Sequence, residues 1–193
     1  MRKRTKSIIG AGLVLVLGVA GYDKLNQFYL RREFESVVRD DSRKVDGESC
    51  VVSDGPIYTR GLIDCAGVVY FQGNGDNGLV GICHNGVRNL SNYSESYLEG
   101  VASEIAQELK KKSNEKDARV DFGKGRFFIV GGYRELAEHI KKRLTKDGLK
   151  YLGESVDGTL PDERDYDSTR KDICVWPEGR IILQKDGRYK ELN

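Results

Sequence analysis

Histidine is almost missing from this chain: two of 193 residues, His84 and His139. Zinc centres take His and Cys at short fixed spacings, and the four cysteines, Cys50, Cys65, Cys83 and Cys174, have no such spacing, so no metal site is expected. Charge of one sign is also lacking. Thirty-two basic residues stand against thirty acidic ones, a net charge of +2, and without a basic excess there is no general electrostatic case for nucleic acid. Lys110-Lys111-Lys112 and Lys141-Lys142 read as solvated helix faces. Nor is there an apolar run of the roughly 20 residues that span a bilayer; Ile8 to Gly21 has fourteen.

That short run follows the basic start Met1-Arg2-Lys3-Arg4-Thr5-Lys6, and Gly18 and Ala20 stand like the small residues of a cleavage site. Residues 1–21 therefore read as a signal peptide or a short uncleaved membrane anchor. The basic flank stays cytoplasmic, which places the rest outside. Residues 22–48 read as a helical linker, with Leu25, Phe28, Leu30, Phe34, Val37 and Val38 at helical spacing, so this segment continues the anchor or packs on the domain. Residues 49–193 carry the core pattern of one compact domain. In an oxidising compartment an even cysteine count invites disulfides, such as Cys50 with one of the others.

The domain reads as α+β. Ser94 is placed to cap a helix reaching Lys112, with Leu98, Val101, Ile105 and Leu109 as its apolar stripe, before a polar loop from Ser113 to Gly125. Phe127 to Val130 is a buried strand, and Tyr133 to Lys146 a helix stopped at Gly148, with His139 on its charged side. Leu149 to Glu154, Asp172 to Trp176 and Arg180 to Gln184 read as strands. The acidic stretch Val156 to Lys171 reads as a long loop without calcium-ligand spacing.

The chemistry concentrates at Thr59, Cys65 and His84. Ala66 to Gln72 and Leu79 to Cys83 are apolar, β-rich runs around Gly73-Asn74-Gly75-Asp76-Asn77-Gly78, and Asn-Gly between such runs signals a hairpin. A turn at Asn74-Gly75 pairs Tyr70 with Leu79, Val68 with Gly81 and Cys65 with His84, setting a thiol against an imidazole. A turn at Asn77-Gly78 instead pairs Cys65 with Leu90. The first register makes a dyad in which the histidine activates the thiol and carries protons. Cys83, next to His84, points to the opposite face and reads as core.

Tyr58-Thr59-Arg60-Gly61-Leu62-Ile63-Asp64-Cys65, the apolar strand, the glycine-rich turn and Gly81-Ile82-Cys83-His84 together resemble the chemoreceptor glutamine deamidase family CheD. They are also similar to the wider cysteine–histidine deamidase fold of the cytotoxic necrotizing factor toxins. Arg126-Phe127-Phe128-Ile129-Val130-Gly131-Gly132 resembles that family's strand ending in a glycine pair. Ser155-Val156-Asp157-Gly158, Ile173-Cys174-Val175-Trp176 and Gly179-Arg180-Ile181-Ile182-Leu183 resemble its closing strands, so the likeness covers roughly Ser49 to Gln184. Ile63 and Asp64 stand where the family has small residues, and Leu136 to Lys142 replaces its isoleucine-glycine and arginine-asparagine segment.

The resemblance implies mostly antiparallel, sandwich-like sheets flanked by helices. It implies that Cys65 is the nucleophile, His84 the proton carrier and Thr59 the residue that orients the imidazole. The activity implied is cofactor-free deamidation of a glutamine side chain on a protein substrate. Two other classes stay open: a non-catalytic, membrane-anchored binding module on the same fold, and a cysteine peptidase or acyl transferase.

Overall fold

The computed structural model describes residues 5–62, 65–73, 78–85, 94–156 and 170–192, with side chains from residue 21 onward. The fold is α+β, with ten strands in two mixed five-stranded sheets and three α-helices among the described residues. Helix α1 is Thr5–Val38, and strands β1 to β5 are Lys44–Val45, Ser49–Ser53, Ile57–Leu62, Ala66–Gln72 and Leu79–Asn85. Helix α2 is Glu95–Lys116, β6 is Arg126–Gly131, and α3 is Arg134–Lys146. Strands β7 to β10 are Lys150–Ser155, Lys171–Val175, Ile181–Lys185 and Arg188–Leu192. One sheet has the order β1-β3-β8-β9-β10, the other β2-β5-β4-β6-β7. The pairs β1–β3 and β6–β7 are parallel and the rest antiparallel.

Side-chain alternation along the strands builds four layers. Val69, Phe71, Val80 and Ile82 of one sheet meet Ile57, Leu62, Ile173 and Val175 of the other, forming the core between the sheets. Ala66, Val68, Tyr70, Cys83, Phe127 and Ile129 point the other way, onto Leu98, Ile105 and Leu109 of α2 and Leu136, Ile140 and Leu144 of α3. The Ser94 hydroxyl accepts from the Tyr97 N–H and so caps α2, which continues to Lys116, beyond the expected end at Lys112.

Helix α1 covers the remaining sheet face. Leu30, Phe34 and Val37 pack on Tyr58, Cys174 and Ile182. Gln27 donates to the Tyr189 carbonyl and accepts from its N–H, and Arg180 bonds both Glu33 and Glu191. Residues 22–48, expected as a helical linker, thus include a layer of the fold and the strand β1. The compact unit begins before Ser49. Among the described residues no helix is long and apolar enough to cross a membrane.

The hairpin register differs from the expected one by two residues. Gly67, not Cys65, stands opposite His84, and Tyr70 stands opposite Gly81. The register of the alternative turn at Asn77-Gly78 is not adopted either, because β4 and β5 hold a single register from Ala66–Asn85 to Gln72–Leu79; Leu90 itself lies outside the described residues. A two-residue slip leaves every side chain on its original face, so burial pattern does not choose between the registers. The flanking strands do, since β5 is also paired with β2 and β4 with β6. The Asn74-Gly75 turn, Ile63-Asp64 and most of the acidic loop lie outside the described residues.

Candidate active site

Thr59 and His84 meet across the gap between the sheets. Thr59 lies on β3 and His84 near the end of β5, and both side chains turn inward, 0% and 5% exposed. Thr59 Oγ1 is 2.7 Å from His84 Nδ1 and 2.7 Å from the carbonyl oxygen of Val45. A carbonyl only accepts, so the hydroxyl proton is committed to Val45 and the hydroxyl oxygen accepts from Nδ1–H. That arrangement selects the tautomer whose lone pair is on Nε2. Burial holds the imidazole below its ordinary pKa, with the charge of Asp46 pulling weakly the other way. The ring is a neutral base, oriented at Nδ1.

Local irregularity aims this part of the chain. Strand β3 bulges between Thr59 and Leu62, where Gly61 has φ +74° and its N–H donates to Asp172 Oδ1 at 2.8 Å. Arg170 and Arg60 flank that carboxylate. Leu62 ends β3 in one sheet, and Cys65 stands just ahead of β4 in the other. Cys65 is half-buried and packs on the core between the sheets, the side His84 faces. It stands two residues before Gly67, the residue opposite His84, and just outside the ladder, which begins at Ala66. Gly67 carries no side chain: a Cβ there would come within 2.8 Å of Leu62 Cδ1.

The glycine pair ending β6 encloses the backbone at Cys65. Gly131 and Gly132 have φ of +71° and +72°, and a Cβ at Gly131 would lie 2.8 Å from the Cys65 carbonyl oxygen. Only glycine allows both the left-handed conformation and this approach.

The other cysteines are accounted for. Cys50 and Cys83 stand directly opposite on β2 and β5 and form a disulfide, so Cys83, expected as a core thiol, is a cross-link on the helix side. Cys174 is buried under α1, its sulfur 3.8 Å from the Phe34 carbonyl, and burial raises its pKa. Cys65 is thus a half-buried thiol outside the disulfide, on the inter-sheet side of the fold. His139 lies on α3 in a shallow groove with Lys142 and Arg143, away from this cluster.

A groove of about 300 Å³ along the β2 edge reaches His84, with Glu48, Ser49, Asn85, Glu104 and Glu108 on its walls. A larger one of about 550 Å³, between α2 and the Phe122–Lys124 turn, contains none of the three residues. Among the described residues no group of His, Cys, Asp and Glu is arranged to hold a metal ion. Val45, Asp172 and Gly131 are the contributors that sequence reasoning missed. Val45 acts through a backbone carbonyl, which leaves no residue-type signal, whereas the glycine pair was visible as a motif without a role. No protein-family model matches the chain, and no curated protein matches it.

Proposed function

We propose that the chain is a membrane-anchored or exported amidohydrolase that deamidates glutamine side chains on proteins, as its resemblance to the CheD-type deamidases implies. The observation that carries this reading is the Val45–Thr59–His84 relay, which holds the imidazole by Nδ1 and leaves the Nε2 lone pair as its basic site, while Cys65 packs on the core between the same two sheets. In this reading Nε2 takes the Cys65 proton, and the thiolate adds to the carboxamide carbon. The imidazolium returns that proton to the departing nitrogen, ammonia leaves, and a thioester forms. Water, deprotonated by the same histidine, attacks the thioester carbonyl and releases glutamate and the thiol. The Cys50–Cys83 disulfide supports a compartment outside the cytoplasm, and the apolar run Ile8 to Gly21 supports a membrane or export route.

The test is incubation of the full chain with glutamine-containing proteins of its own compartment. Deamidation releases ammonia and adds about one mass unit per event, and Cys65→Ser abolishes both. Chain cleavage would assign a peptidase, and an amine-dependent product an acyl transferase. Binding without turnover by either protein would assign a non-catalytic module.

A further inference from the structure

Most of the exposed large apolar side chains among the described residues lie in one stretch of α1. Tyr22, Leu25, Phe28 and Tyr29 are 53–74% exposed, with Phe28 and Tyr29 in edge-to-face contact at 5.9 Å. At about 100° per residue they span an arc of about 120°, centred roughly 160° from the side formed by Gln27, Leu30, Phe34 and Val37 that packs on the domain. The same helix thus docks the domain with one side and leaves an aromatic-rich side bare. An exposed apolar patch of this size marks an interaction surface.

Its place in the chain identifies the partner. Helix α1 is continuous from Thr5 to Val38, so the patch directly extends the axis of Ile8 to Gly21. That run is about 21 Å long at 1.5 Å per residue, roughly 9 Å short of the hydrocarbon thickness of a bilayer. Tyr22 to Tyr29 adds about 12 Å. Tyrosine is favoured at the lipid–water boundary because its ring is apolar and its hydroxyl is wet. Lys24 and Arg32 stand beside the patch, with stems long enough to place cations among headgroup phosphates, while Arg31 is paired with Glu35.

We propose that Tyr22, Leu25, Phe28 and Tyr29 form a collar that sits in the headgroup layer of a bilayer, completing on one side of α1 the span begun by Ile8 to Gly21. This inference rests on the membrane anchoring in the functional reading. Because Leu30 follows at once and is buried against the first sheet, the collar holds the domain against the membrane surface. Its substrate is then presented close to the lipid.

The experiment uses the full chain in vesicles of phosphatidylcholine and phosphatidylglycerol, doped with lipids brominated at the upper or lower part of the acyl chain. Phe28→Trp in a Trp176→Phe background reports the collar, and the unaltered chain reports Trp176, which packs with the buried side of α1; matching melting curves show that both fold. The expected result is loss of most emission from the residue at position 28, strongest with bromine high on the chain, and no quenching of Trp176. If the protein does not float with vesicles, the membrane reading itself falls. If it floats but position 28 is unquenched, or is shielded only in a concentration-dependent dimer, the collar is overturned and the anchoring stands.

Discussion

A single hydroxyl decides the tautomer of the candidate base. Thr59 bonds both His84 and Val45 from a fully buried position, so Thr59→Val strands a ring N–H and a carbonyl at once. Each buried unsatisfied group costs about 1–3 kcal/mol. Thr59→Ser keeps the oxygen and is expected to melt near the parent while Thr59→Val melts well below it, as thermal unfolding will show. Reactivity follows the same relay: iodoacetamide is expected to modify Cys65 ahead of Cys174, whose pKa burial raises. His84→Gln is expected to slow the labelling of Cys65 and move its onset to higher pH while Cys174 is unaffected, and Cys65 labelling that does not change in the variant would remove the case for a dyad.

The histidine also gives the stability a pH signature. Its folded pKa lies below the ordinary 6.5 because burial disfavours the charged ring. As pH falls below that value the unfolded chain binds a proton that the folded chain refuses. The contribution is therefore complete above about 6.5 and lost as pH falls through the folded pKa. His84→Gln has no such proton to refuse, so the stability difference between parent and variant is expected to shrink from pH 7.5 to 5.5. Denaturant melts at the two pH values measure it.

At the scale of elements, the hairpin β4–β5 is flanked on both sides, and its neighbours do the fixing. The disulfide ties the edge strand β2 to β5 across 33 residues of sequence. Chain entropy assigns a loop of that length roughly 3–4 kcal/mol. Reduction is expected to lower the unfolding free energy by about that much in urea, with unchanged labelling of Cys65, since the bridge lies on the helix side of the sheet. The Gly131-Gly132 end of β6 brings backbone toward Cys65, and the β3 bulge ties Gly61 to Asp172.

At the scale of the molecule, four layers share two sheets, and the outermost layer is the helix that leads out of the fold. A chain starting at Ser49 lacks β1, and with it the Val45 carbonyl that orients Thr59, and it bares Tyr58, Cys174 and Ile182. It is expected to aggregate or melt several degrees lower than a chain starting at Tyr22, which retains both. Equal melting temperatures for the two would show that α1 and β1 are dispensable appendages.

Local pattern determined the α+β class, the helices α2 and α3 from their 3.6-residue stripes, and the strands at β4, β5, β6, β7, β8 and β9, most of them short continuous apolar runs buried on both faces and β7 alternating. It did not determine β1, two residues long, or β10, whose Arg188, Lys190 and Glu191 are exposed and leave little apolar pattern. Thr59, Cys65 and His84 stood out from motif and spacing. Their register did not, since a slip of two residues preserves every face and only the pairing of β2 and β6 distinguishes the choices. The Cys50–Cys83 pairing, the Val45 acceptor and the docking of α1 belong to the tertiary structure alone. Each joins residues far apart in the chain through backbone or packing geometry, and neither depends on local residue type in a way that a single sequence displays.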